Sequence, residues 1–260
     1  MAKLTKDEYK RHEKACEILK KNKLTFDEKI FVMENWHEGA DNLNSKAGAF
    51  FTPVGLAQDF SLEIIENEKI IDLCAGIGML AFFAYHYRKC DVMCVELNPK
   101  YIEVGKKLLP EAKWINASIF NFKEFGHFEQ VISNPPFGKI KTGIDAEIKN
   151  ELKYKGSEFE LITMEIGSKI ADYGTFLVPQ GSTPFKYSGN QDGFIDLRQN
   201  NKGYNPYGQQ PMQKVKKFLK ETNFNPIFNV GIDTSIYKDN WKGVNPICEV
   251  INFDWKGKYW

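Results

Sequence analysis

IIDLCAGIGML, residues 70–80, is the stretch on which the fold turns. A short apolar run ends in Asp72 and breaks into Cys74-Ala75-Gly76-Ile77-Gly78, after which Met79 and Leu80 open a helical pattern. An apolar run of this length bounded by glycine reads as a buried strand. Glycine lets the backbone turn tightly and come close to a ligand. A helix that begins there points its unpaired N–H groups back at the strand end. The pattern is D-x-C-x-G-x-G, not the G-x-G-x-x-G of a pyrophosphate cradle. Two readings stay open here: a plain strand-to-helix turn, or a cradle for a ligand that carries a carboxylate.

Outward from that turn, strands and helices alternate. The expected strands are KIIDL (69–73), DVMCVE (91–96), AKWIN (112–116), FEQVIS (128–133) and GTFLVP (174–179). Helices are expected at about 54–67, 78–89, 99–109, 158–172 and 211–223. Such alternation implies a parallel sheet covered on both faces. FNPIFNVGI (224–232) and ICEVINFDW (247–255) have no helix between them and read as a terminal antiparallel hairpin. The expectation is an α/β fold with a mostly parallel, seven-stranded sheet. Ahead of it, residues 5–22 and a segment N-capped by Thr25 form a helical region over 1–45, and a polar stretch at 37–49 links it to a domain spanning 46–260. The Gly/Asn/Gln-rich stretch 181–210 is a long loop insert of the kind that is usually functional or mobile.

Two further elements belong to the sheet's C-terminal edge. Glu96 ends the second strand, 24 residues after Asp72, an offset at which an acid typically bonds ribose hydroxyls. Pro99 then suits a first helical turn. VISNPPFGK (131–139) places Asn134 at the end of the fourth strand, 62 residues after Asp72. Ligands of open parallel sheets sit beyond those strand ends, so Asp72, Glu96 and Asn134 should converge. Asn134 offers an amide oxygen and Pro135 a carbonyl, two acceptors for one NH2 group. Pro136 stiffens the loop, and Phe137 presents a ring face for a planar group.

Composition sets outer bounds. The 260 residues are 42% hydrophobic and 27% charged with a formal net charge of +1, so charge does not announce a nucleic-acid binder, although a local basic face is compatible with it. Five cysteines without a CxxC pair argue against zinc and against a disulfide framework, so no metal is expected and a cytoplasmic setting is. The charged N-terminus does not read as a signal peptide, and no apolar run is long enough for a membrane span.

These residues resemble the S-adenosylmethionine-dependent amino-methyltransferases, specifically adenine-N6 DNA methyltransferases of the NPPF/NPPY type with a C-terminal recognition region. The resemblance covers roughly residues 46–180 and rests on GAFFTP (48–53), DLCAGIG, ELNP and NPPFG. It implies a Rossmann-like class I methyltransferase fold with S-adenosyl-L-methionine as cofactor. Phe51, Thr52 and Pro53 would line the cofactor's methionine end, and Asp72, Cys74, Gly76 and Gly78 its cradle. Glu96 would hold the ribose, Leu97 would pack on the adenine, and Ser118 would stand where an Asp commonly meets the adenine amino group. Asn134 and Pro135 would bind the target amino group, Pro136 would stiffen the loop, and Phe137 would stack on a flipped base. Relatives carry a recognition domain that this chain has little room for. DNA contact is therefore expected from the lysine-rich stretch 138–157, including Lys139 and Lys141, and from the insert, including Lys186, Tyr187 and Arg198. A protein partner or a second copy supplying recognition is the other expectation. The same chemistry on an RNA base or a glutamine amide is the alternative to DNA, and a non-catalytic cofactor- or DNA-binding subunit is the third reading.

Overall fold

The computed structural model describes residues 4–37, 51–140, 144–199, 205–242 and 244–258. Two capping boxes start the N-terminal helices. In α1 (Lys6–Leu19), Thr5 and Glu8 satisfy each other's backbone N–H groups, and Thr25 and Glu28 do the same for α2 (Phe26–Asn35). Next come α3 (Val54–Phe60), β1 (Lys69–Leu73), α4 (Met79–Arg88), β2 (Asp91–Glu96) and α5 (Pro99–Leu108). β3 (Lys113–Asn116), β4 (Phe128–Ser133), α6 (Ala146–Glu151), α7 (Phe159–Ile170) and β5 (Ala171–Pro179) follow. The chain closes with β6 (Phe185–Lys186), β7 (Ile195–Asp196), α8 (Gln213–Thr222) and β8 (Cys248–Asp254).

The main sheet has six strands in the order β3-β2-β1-β4-β5-β8, parallel except for β8 at the edge. Side chains alternate across it, so neighbouring residues serve different cores. Ile70 and Ile132 face a core built with α1 to α5, whereas Ile71 and Val131 face one built with α7 and α8. Burial on both faces is why β1 is apolar from Ile70 onward, with Asp72 its one buried polar residue.

The expected seventh strand is absent from this sheet. Within 224–232 only Ile227 bridges to Asn252 of β8, and β8 runs antiparallel to β5 instead of closing a terminal hairpin. The physical reason lies in the segment's neighbours. Pro226 has no N–H to give, and the buried Glu63 carboxylate captures Val230 N and Asn229 Nδ2, both at 2.8 Å. The 181–210 insert carries the small β6–β7 hairpin, and α6 forms inside the lysine-rich stretch 138–157.

Candidate cofactor and acceptor site

A cavity of about 390 Å³ opens beyond the C-terminal ends of β1, β2 and β4. Connections diverge there, because β1 lies between β2 on one side and β4 on the other, and such switch points are where α/β sheets bind ligands. The volume falls within the roughly 300–1,000 Å³ of small-molecule sites.

The glycine loop builds one wall. Gly76 adopts φ +57°, and a Cβ there would meet the Phe51 ring at 3.1 Å. Cys74 also has a left-handed φ, +61°. Glycine takes that conformation without strain, which a cysteine does not. Burial pushes the Cys74 thiol well up, and the charges of Glu96 and Asp72 add to it, so the group is a neutral wall and not a nucleophile. Glu96, at the end of β2, accepts from Gly76 N and Asn98 N, each at 2.8 Å, tying the glycine loop to the start of α5. Asn116 Nδ2 donates to the carbonyls of Glu96 and Leu97, which fixes the turn between them. Leu97 lies at the rim and is mostly exposed. Ser118 lines the cavity while its hydroxyl oxygen accepts from Phe120 N.

Asp72 is buried beneath the loop. Its Oδ2 accepts from Ala81 N at 3.3 Å, and its Oδ1 has no hydrogen-bond partner among the described residues. Burial, and secondarily the charge of Glu96, push its carboxyl well above the usual carboxylate range. A buried oxygen of this kind is costly unless a ligand brings a donor or a positive charge to it.

The Asn134–Phe137 loop forms the facing wall. Ser133 Oγ donates to Leu73 O and pins the end of β4 to β1. Asn134 Nδ2 donates to Thr52 Oγ1 at 2.9 Å, joining the loop to the segment that leads into α3. Phe51 completes that wall, packed on Tyr101 (5.2 Å between ring centroids) and Trp36 (5.7 Å).

The structure thus gathers Phe51, Thr52, Asp72, Cys74, Gly76, Glu96, Leu97, Ser118 and Asn134 to Phe137 around one cavity. Pro53 and Gly78 do not line it. Pro53 is the N-cap residue of α3, and Gly78, at φ +88°, makes room for Trp114, whose ring a Cβ would meet at 3.0 Å. Lys139 follows the loop and forms a backbone bridge to Glu158. Lys186, Tyr187 and Arg198 lie away from the cavity. Arg198 is spent on Asp196, Asn225 and the Pro226 carbonyl, Lys186 bonds Gln209, and Tyr187 packs on Phe228 at 5.1 Å. The insert's Phe185 and Phe194 also turn inward, Phe194 lying 4.2 Å from Phe228. Lys141, Lys202, Tyr204 and the 45/46 boundary lie outside the described residues. Tyr101, Phe120 and Phe159 line the cavity without having been expected: Tyr101 and Phe159 read in sequence as ordinary apolar helix positions, and Phe120 falls between the third and fourth expected strands.

Sheet order, switch-point cavity and glycine loop together define a Rossmann-like α/β methyltransferase fold. Residues 54–157 match the family model of the methyltransferase small domain. A provisionally assigned class I S-adenosylmethionine-dependent methyltransferase from Listeria monocytogenes shares the fold, with a TM-score of 0.53 at 12% identity, over 91% of this chain and 69% of that one. A provisionally assigned RNA methyltransferase from Pyrococcus horikoshii aligns with 59% of this chain and 74% of its own, at 20% identity and a TM-score of 0.42. An uncharacterized protein of Rickettsia prowazekii is 30% identical over 91 residues, which are 32% of this chain and 36% of that protein. The chain therefore spans about a third of that curated relative.

The match to the methyltransferase small domain implies S-adenosylmethionine as the cofactor, and the residues present fit it. Asp72 Oδ1 is a buried acceptor in need of a donor, Gly76 leaves space that a Cβ would fill, and Glu96 sets a carboxylate at the end of β2.

Proposed function

We propose that this protein transfers a methyl group from S-adenosylmethionine to the N6 amino group of adenine in DNA. The observation that carries the reading is the Asn134–Phe137 loop, which lines the same cavity as Asp72, Gly76 and Glu96. When bound, S-adenosylmethionine supplies an electrophilic sulfonium methyl. The chain's own residues supply orientation. Glu96 holds the ribose, and Leu97 covers the cofactor's adenine at the rim. Asn134 Oδ1 and the Pro135 carbonyl accept the two hydrogens of the target amino group, which draws its lone pair out of conjugation and onto the nitrogen. Phe137 stacks on the base, which must leave the duplex because that nitrogen is otherwise inaccessible. The nitrogen would take the methyl as the bond from that methyl to sulfur breaks, releasing the neutral thioether and one amino proton, so the gain comes from proximity and alignment. Pro135 and Pro136 restrict the loop and keep these groups aligned without an ordering cost on each turnover.

The choice of adenine in DNA rests on the FFTP segment (50–53) upstream of the glycine loop and the NPPF loop. The test is incubation with methyl-labelled S-adenosylmethionine and, separately, duplex DNA, single-stranded DNA, RNA and a protein extract, followed by mass spectrometry of nucleosides and peptides. N6-methyladenine from DNA is the expected product. Label in an RNA base or a glutamine amide replaces the acceptor, and no label anywhere overturns the enzyme.

A further inference from the structure

We propose that Glu160 is a positioning residue for the acceptor loop, and that it couples this loop to the 181–210 insert and to α8. The inference rests on the function proposed for Asn134–Phe137. Glu160 is the second residue of α7 and is fully buried. Its Oε2 accepts from Gly138 N at 2.8 Å, on the residue next to Phe137. Its Oε1 accepts from Ser182 Oγ at 2.8 Å and pairs with Lys214 Nζ at 3.0 Å. Lys214 Nζ also donates to Ser182 Oγ at 2.7 Å, which closes a triangle. Ser182 stands near the start of the insert and Lys214 in the first turn of α8.

A buried carboxylate must be paired to be tolerated, and here each oxygen is committed to a different part of the chain. One oxygen fixes the Gly138 backbone, which takes φ +83° as the loop turns away from Phe137. Phe159 N, one residue before Glu160, donates back to Gly138 O at 2.8 Å, so this turn is gripped on both its N–H and its carbonyl. The other oxygen answers to Ser182 and Lys214. Phe137 therefore sits where the insert and α8 allow, although no described residue of either lines the cavity. A glutamate that served only the N-terminus of α7 would not need to reach Gly138 or Lys214.

Glu160→Gln keeps the shape but puts an NH2 group against either Gly138 N–H or the Lys214 ammonium. The assay compares wild type, Glu160→Gln, Ser182→Ala and the double variant Glu160→Gln/Lys214→Met. It measures kcat on plasmid DNA from a host lacking adenine methylation, S-adenosylmethionine affinity by calorimetry, and deuterium uptake over residues 134–140. For Glu160→Gln, kcat is expected to fall about tenfold or more, cofactor affinity to stay within about twofold, and uptake at 134–140 to rise, since a hydrogen bond to a charged group has been lost. The double variant should recover part of both losses, because a neutral amide can then accept from Gly138 and donate to Ser182. Normal kcat and normal uptake in Glu160→Gln overturn the proposal, as does a fall in kcat that is matched by cofactor affinity and not relieved in the double variant. If wild type leaves plasmid DNA unmethylated, the proposed function fails separately and uptake alone decides the role of Glu160. If Glu160→Gln does not fold, Ser182→Ala, which removes one arm, decides in the same way.

Discussion

Glu96→Ala separates cofactor binding from chemistry more cleanly than any other change in the cavity wall. In the wild type both carboxylate oxygens are engaged, one on Gly76 N and one on Asn98 N, each at 2.8 Å. Alanine removes both anchors and also the group proposed to hold the ribose. A hydrogen bond to a charged group contributes roughly 1.5–3 kcal/mol, so loss of the ribose contact alone weakens S-adenosylmethionine roughly 10- to 150-fold. Gly76 and Asn98 are only partly buried, so their N–H groups should regain water, which limits the stability loss to about 1–3 kcal/mol in total. Glu96→Gln keeps one acceptor oxygen and should fall between wild type and alanine on both scales. Isothermal calorimetry with S-adenosylmethionine gives the affinities, and urea unfolding gives the stabilities. At saturating cofactor, the alanine variant should recover most of its kcat. Affinity within twofold of wild type for Glu96→Ala would show that this carboxylate serves only the loop, and the ribose assignment would be withdrawn.

Two further substitutions probe the walls. Gly76→Ala forces an L-residue into φ +57° and sets its Cβ 3.1 Å from the Phe51 ring. It should cost about 1–2 kcal/mol in urea unfolding and weaken cofactor binding by displacing Phe51, whereas unchanged stability would mean that the loop simply rearranges. Lys242 reports on how the N-terminal helices are held. Its Nζ donates to the Met33 and Trp36 carbonyls at the end of α2, and burial lowers its pKa to about 7. Above pH 7 the unfolded chain binds the extra proton and the folded chain does not, so stability rises with pH on account of this group. Relative to Lys242→Met, wild type should gain up to about 1.4 kcal/mol per pH unit between pH 7 and 9, and a flat difference across that range would refute the assignment.

The central strands were legible to the residue. β1, β2 and β4 match the expected 69–73, 91–96 and 128–133, because strands buried on both faces are continuous apolar runs with clear ends. β5 starts at Ala171, three residues before the expected strand, since α7 passes into it without a loop and no turn residue marks the junction. The seventh strand failed for a reason that no local pattern carries, namely the reach of Glu63 from more than 160 residues away along the chain. In the site, Asp72, Gly76, Glu96 and Asn134 to Phe137 were legible because topology alone brings strand ends together. Gly78 does not line the cavity, and its contact with Trp114 of β3 is one that sequence spacing does not reveal. The insert's mixture of rings and cations read equally as a stacking surface or as packing. Phe185, Tyr187 and Phe194 turn inward on Phe228, a partner that sequence spacing does not reveal, whereas Tyr207 is exposed.

Asn134→Ala tests the central claim most directly. Methyl transfer and cofactor affinity are measured on the same preparation, with labelled S-adenosylmethionine and the acceptor that wild type modifies. Loss of transfer with affinity within a few-fold of wild type is the expected result, because the amide that orients the amino group is gone while Asp72, Gly76 and Glu96 remain. Transfer at a near-normal rate would contradict the role assigned to Asn134, and with it the reading of the loop as the grip on an amino group.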